Sequence, residues 1–146
     1  MSSYYDYYPN IYRQSNQFIR NLERAINGEY SVINCYEKLA RMATNQAERN
    51  QIQEIRQDEI RHFQQFSQLY TNLAGRQPQP QITEQCPNSY RPGLEFAFRD
   101  EQETVDFYLD MAESAETQGI KEMFRRAAAD EQNHAVWFLS FMTRLR

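Results

Sequence analysis

The chain has 146 residues, the length of one ordinary domain able to bury its own core. Its net charge is −4, and its lysines and arginines are interspersed with carboxylates, which excludes the basic stripe that nucleic-acid binding requires. No run approaches the ~18 apolar residues of a membrane span, and with only 4 glycines and 5 prolines the composition predicts an all-α domain rather than a sheet with frequent turns.

Residues 1–14 contain Tyr4, Tyr5, Tyr7 and Tyr8 without a helical period and are expected to form a tyrosine-rich arm. They lack the basic-then-apolar pattern of a secretory signal, which predicts a cytoplasmic protein. Over 15–44, Ile19, Leu22, Ile26, Glu29, Ile33, Tyr36, Ala40 and Ala43 recur at steps of three and four, the spacing of one helical stripe. A second stripe, over 46–74, reads Ile52, Ile55, Glu59, His62, Phe66, Leu69 and Leu73. Residues 75–93 hold Pro78, Pro80, Pro87 and Pro92, cannot continue a helix, and form a linker. The third stripe, over 93–117, reads Leu94, Phe98, Glu101, Val105, Tyr108, Ala112 and Ala115. The fourth, over 119–145, reads Ile120, Phe124, Ala127, Glu131, His134, Phe138, Phe141 and Leu145, with Gly119 marking the turn before it.

The linker is too long for a plain turn, and at ~3.3 Å per extended residue it can run the ~40 Å of a neighbouring helix. The expectation is a four-helix bundle of two antiparallel hairpins joined by a long crossover, the second starting at the end where the first helix begins. Cys35 and Cys86 lie far apart in sequence, so neither a C-x-x-C knuckle nor a disulfide framework is expected, and Cys35 reads as a buried helix residue.

The step of 72 residues that carries Glu29 onto Glu101 also carries Tyr36 onto Tyr108, Ala40 onto Ala112, Asp58 onto Asp130, Glu59 onto Glu131 and His62 onto His134, without a gap. The two hairpins are versions of one unit. Measured from a turn near Asn45 at ~1.5 Å per residue, Glu29 and Glu59 lie at ~24 and ~21 Å, so they meet at one level, and Glu101 and Glu131 meet likewise. Four glutamates in an apolar core are costly unless cations compensate them, and two divalent ions would. Glu29, Glu59, His62, Glu101, Glu131 and His134 are therefore the candidate metal ligands, each E-x-x-H pair serving one metal while the glutamates of the other helices bridge or chelate. Mixed carboxylate and imidazole donors without thiolate suit iron or manganese.

Asp58 and Asp130, four residues before each histidine, are expected to accept the ring N–H of the histidine on the opposite hairpin. Tyr36 and Tyr108 return to the ligand face two turns on and are candidates for hydrogen-bonding a ligand carboxylate. A lone E-x-x-H is usually a solvated surface pair, but here the chain's 2 histidines both stand in D-E-x-x-H. Met42, Met111, Met123 and Met142 read as core filler, and Glu37, Glu48, Glu54, Glu103 and Glu113 as solvated faces.

These elements resemble the ferritin-like superfamily, in its rubrerythrin and bacterioferritin branches, from about Ser15 to Arg146. The likeness is carried by Gly28, Glu29 and Tyr36, by D-E-x-R-H (Asp58, Glu59, Arg61, His62), by Glu101 and Tyr108, and by Asp130, Glu131 and His134. The resemblance implies a di-iron centre that reacts with O2 or hydrogen peroxide, supplied by an unknown electron donor. Rubrerythrins add a four-cysteine rubredoxin module and place a further carboxylate where this chain has Thr104; bacterioferritins use a fifth helix in their cage. The expected protein thus lacks the usual electron route and forms no cage, being a monomer or a homodimer without nucleic-acid or membrane partners. Two iron ions are the leading cofactor, two manganese ions in a catalase-like enzyme the alternative, and a structural or metal-sequestering coat-type role the third reading.

Overall fold

The computed structural model describes the backbone of residues 4–145 and the side chains of residues 16–145. It contains helices α1 (Tyr4–Met42), α2 (Gln46–Ala74), α3 (Tyr90–Glu113) and α4 (Gln118–Arg144), and no strand among the described residues. The side chains of the expected tyrosine-rich arm lie outside the described residues; its backbone from Tyr4 belongs to α1, ahead of the start expected near Ser15.

Several helix ends have a chemical reason. The last turn of α1 is closed by Arg49, whose Nε donates to the Ala40 carbonyl at 3.1 Å and whose Nη2 donates to that of Ala43 at 3.0 Å. Asn45 then caps α2, its Oδ1 accepting from the Glu48 N–H at 2.8 Å. Helix α2 stops at Gly75, which takes φ 72° and donates its N–H to the Thr71 carbonyl, a left-handed cap that suits glycine. Thr117 caps α4 through Ile120 N–H, so Gly119 lies inside the helix rather than at the turn, and α3 ends earlier than expected, at Glu113.

The buried side chains form two clusters. Phe18, Leu22, Ile26, Phe66, Tyr108 and Phe124 fill one half of the bundle; Tyr36, Leu39, Ile52, Ile55, Leu94, Phe138 and Phe141 fill the other. Each large side chain removed from water contributes about 1.5–3 kcal/mol, so either half alone is a substantial core. Glu29, Glu59, His62, Glu101, Glu131 and His134, all buried, lie in the helices between them.

The crossover runs lengthwise, as expected, but α3 starts beside the C-terminal end of α1, not beside its beginning. Leu94 and Ala97 pack with Leu39, Ala40 and Ala43. A linker that leaves the end of α2 and travels the whole bundle must return to the level where α2 began. It is fastened to one stripe of α1: Gln81 N–H donates to Asn27 Oδ1 and Thr83 N–H to Ser31 Oγ, both at 2.9 Å, Cys86 is bonded to Cys35, and Lys38 donates to Asn88. The disulfide corrects the sequence expectation for the cysteines: their separation of 51 residues is closed because the crossover retraces α1, bringing their Cα atoms to 5.2 Å. Cys35 is buried, as expected.

Two helical glycines should respond oppositely to substitution. A Cβ on Gly93 would stand 2.6 Å from Leu39 Cδ1 in the core, whereas one on Gly28 would meet nothing within 4 Å. Gly93→Val is expected to lose about 1–3 kcal/mol through overpacking, and Gly28→Ala to gain up to about 1 kcal/mol of helix propensity. Urea unfolding checks both; a stabilised Gly93→Val would contradict this packing.

Candidate metal centre

Glu29 and Tyr36 come from α1, Glu59 and His62 from α2, Glu101 and Tyr108 from α3, and Glu131 and His134 from α4. The antiparallel register of α1 and α3 crosses their contacts: Tyr36 donates its hydroxyl to Glu101 Oε1 at 2.7 Å, and Tyr108 donates to Glu29 Oε1. The structure thus brings together all six candidate ligands and both tyrosines.

Donor atoms of these residues fall into two groups whose members lie within 4.8 Å of one another. One comprises Glu29, Glu59, His62 and Glu131, the other Glu59, Glu101, Glu131 and His134. Glu59 and Glu131 belong to both. Spacing along the helices leaves the α1 and α3 glutamates to bridge or chelate and each E-x-x-H pair with one metal; the geometry places the α2 and α4 glutamates, Glu59 and Glu131, between the two groups. His134 Nδ1 lies 2.9 Å from Glu59 Oε1 and His62 Nδ1 lies 3.1 Å from Glu131 Oε1, so each imidazole faces the shared carboxylate of the other hairpin.

Behind the histidines the pairing is reciprocal. His62 Nε2 lies 2.8 Å from Asp130 Oδ2, and His134 Nε2 lies 2.8 Å from Asp58 Oδ2, the cross-hairpin contacts expected from the sequence. An aspartate at Nε2 fixes the N–H there and turns Nδ1 toward the glutamates. Arg61 joins the two aspartates, donating to Asp58 at 3.1 Å and to Asp130 at 3.0 Å, and Arg126 donates to Asp130 at 3.0 Å. Burial would raise the Asp130 carboxyl, but hydrogen bonds from His62 and Arg126 hold it well below the usual carboxylate range.

The central groups are out of balance in a way that protons relieve. Burial, then the charge of Glu59, pushes Glu29 up to about 8, and burial and the neighbouring glutamates raise Glu131 too. Burial alone would lower the histidines; contacts with Asp130 and Glu29 instead raise His62 to about 10, and contacts with Glu101 and Glu59 raise His134 to about 12. Burial and the adjacent carboxylates push both tyrosine hydroxyls well above their ordinary value, keeping them hydrogen-bond donors.

Seven buried side-chain nitrogen or oxygen atoms among the described residues have no hydrogen-bond partner. Six of them are Glu29 Oε2, Glu59 Oε1, His62 Nδ1, Glu101 Oε2, Glu131 Oε1 and His134 Nδ1, one from each candidate ligand; the seventh is Ser67 Oγ, outside both donor groups. An unsatisfied buried polar atom costs about 1–3 kcal/mol, and an array of six aimed at one another is one that protons or cations between them would satisfy.

A model of the rubrerythrin family matches residues 93–146. YhjR of Bacillus subtilis, an uncharacterized protein, is 54% identical over 96% of this chain and 96% of its own length. A ferritin-like diiron-carboxylate protein from Bacillus anthracis superposes with a TM-score of 0.75 at 25% identity, covering 88% of this chain and 97% of the other. The chain belongs to one family with YhjR and has the ferritin-like fold; its second hairpin, α3 and α4, matches the rubrerythrin model. The bacterioferritin of Desulfovibrio desulfuricans, whose structure contains a diiron site, shares this ferritin-like fold with a TM-score of 0.76 at 19% identity, over 90% and 81% of the two chains.

Three acidic residues at this ferritin-like centre escaped the sequence reading. A cleft of about 130 Å³ between α1, α3 and the crossover is lined by Glu29, Glu59 and Glu131 inside and by Glu84, Asp100 and Glu103 toward solvent. Burial and the adjacent Glu84 push the Asp100 carboxyl up to about 10. Glu103 is exposed as expected, yet it borders the cleft; Glu84 lies in the aperiodic linker, where no pattern marks it. One sequence signal existed: the residue-72 repeat pairs Gly28 with Asp100, each just before a candidate ligand, and both line the cleft. Glu48 corrects another expectation, being buried where it accepts from the Tyr90 hydroxyl at 3.0 Å.

Proposed function

We propose that the six converging residues hold two metal ions, iron in the leading assignment, and that the protein is an oxidoreductase reacting with O2 or hydrogen peroxide in a ferroxidase- or peroxidase-like manner. The observation that carries this reading is the set of six orphaned buried donor atoms in two overlapping groups of four. In this assignment Glu29 and His62 would hold one metal and Glu101 and His134 the other, while Glu59 and Glu131, common to both groups, would contribute to each. Four carboxylates and two neutral imidazoles match the charge of two divalent ions, and their oxygen and nitrogen donors suit iron.

The chemistry that two bound iron ions supply is electron transfer to the oxidant; the protein's part is to position and to insulate. Asp130 and Asp58 hold the histidine N–H on Nε2, leaving the Nδ1 lone pair for the metal. Tyr108 and Tyr36 occupy one oxygen of Glu29 and of Glu101 and leave the other free, which fixes the rotamer of each carboxylate. Phe66 and Phe124 on one side and Phe138 and Phe141 on the other keep water from the axis of the bundle. The cleft at Glu84 and Glu103 gives a small oxidant access. No described helix is long and apolar enough to cross a membrane.

Anaerobic protein given two ferrous ions per chain should oxidise them on exposure to O2 or peroxide far faster than buffer does, as read by the rise of ferric absorption in the near ultraviolet. Iron oxidation at the buffer rate would sink the redox reading. Steady oxygen release from peroxide by manganese-loaded protein alone would transfer it to a catalase-like manganese enzyme.

A further inference from the structure

The centre is closed on most sides. Along the bundle axis it is plugged by the aromatic clusters around Phe66 and Phe138. On the α2 and α4 face, Arg61 bridges Asp58 and Asp130, and Arg126 pairs with Asp130, so a cation approaching there meets two guanidinium groups. The cleft on the α1 and α3 face differs in charge and in shape. Its rim carries Glu84 and Glu103, both exposed, with half-buried Asp100 below them, and its floor carries Glu29, Glu59 and Glu131 with their unpartnered oxygens. Among the described residues, Arg24 lines the cleft with its guanidinium over the Phe107 ring at 4.4 Å, and Arg99 lines the adjoining hollow on the outer side of Glu84, Asp100 and Glu103. Gly28 adds no side chain to the wall, and a Cβ there would meet open space.

Glu84 is held at this rim by the crossover's fastenings. Thr83, immediately before it, is tied to Ser31, and Cys86, two residues after it, to Cys35. Two anchors so close leave the Glu84 backbone little freedom, although the segment has no regular secondary structure.

From this arrangement we propose that the cleft rimmed by Glu84 and Glu103 is the uptake route for divalent metal ions, a transient cation site through which they pass Asp100 to reach the buried glutamates, with Gly28 keeping it wide enough. The proposal rests on the dimetal reading above. Carboxylates lining a low-dielectric cleft raise the local cation concentration and its on-rate by about 10- to 1,000-fold, an effect that salt weakens. The rim acts on the rate of filling and not on the final affinity, since its residues stand outside the two donor groups.

The test is stopped-flow uptake of cobalt(II) by the metal-free full chain, read by its visible absorption, which needs no turnover. At low ionic strength the Glu84→Gln/Glu103→Gln double variant should load at least about tenfold more slowly and lose most of the salt dependence. Gly28→Leu should slow loading at any salt concentration. Both should still reach two ions per chain with an unchanged spectrum, and Glu113→Gln, an exposed acid outside the cleft, should load at the unmodified rate. Two ions bound at unchanged rates in both cleft variants would overturn this proposal alone; failure of the unmodified chain to bind cobalt would overturn it together with the dimetal reading.

Discussion

Metal-free protein should melt at progressively lower temperature as pH rises from about 6 to about 9, while metal-loaded protein should not. In the metal-free bundle Glu29 keeps its proton to about 8 instead of 4.5, and His62 and His134 keep theirs to about 10 and about 12 instead of 6.5. Between the unfolded and folded values of each group, the native state binds more protons than the unfolded chain, so stability falls with rising pH. The Glu29 contribution is complete below about 4.5 and declines toward about 8; the histidine contributions are complete below about 6.5 and decline above it. Protons stand where the cations would, and alkali removes them.

Bound metal replaces those protons. Loading near neutral pH should therefore release protons, and apparent affinity should rise with pH. The gain in melting temperature on loading should widen with pH, since stabilisation follows binding to the folded state. Each pKa unit is worth about 1.4 kcal/mol, and several kcal/mol correspond to about 10 °C for a domain of this size. Calorimetric melts of chelator-treated and loaded protein between pH 6 and 9 measure it; parallel curves would refute the proton-for-metal exchange.

The sequence displayed the bundle because its apolar steps of three and four are broken only by residues that share a purpose. Glu29, Glu59, His62, Glu101, Glu131 and His134 are costly in a core, and their recurrence at one repeat step marked them without any contact information. The reciprocal histidine–aspartate contacts followed from the same symmetry. What stayed hidden depends on the linker, which has no period: the approach of Cys86 to Cys35, the level at which α3 begins, and the placing of Glu84 over the cleft. Which glutamates stand between the donor groups is likewise set by side-chain direction across the bundle, and spacing along one helix cannot report it.

Replacing either histidine should be as damaging as removing the centre's function outright, and the two replacements should be equivalent. His62→Ala removes the only nitrogen donor of one four-residue group and leaves Glu59, Glu101, Glu131 and His134 intact; His134→Ala does the converse. Each variant should keep one ion close to its original affinity and bind the second at least about 100-fold more weakly, beyond the 10- to 100-fold cost typical of losing only an outer partner. Reduction of O2 to peroxide takes two electrons, and a variant holding a single ferrous ion would supply one, so ferrous oxidation should fall by about 100-fold or more in both. Asp130→Asn keeps the imidazole but offers an amide where Nε2–H needs a carboxylate, and should show the milder loss of about 10- to 100-fold. Titration of the metal-free chain with cobalt, followed by the iron oxidation assay, separates these cases. Both histidine variants binding two ions tightly and oxidising iron at the unmodified rate would mean that the imidazoles serve only the hydrogen-bond frame with Asp58 and Asp130.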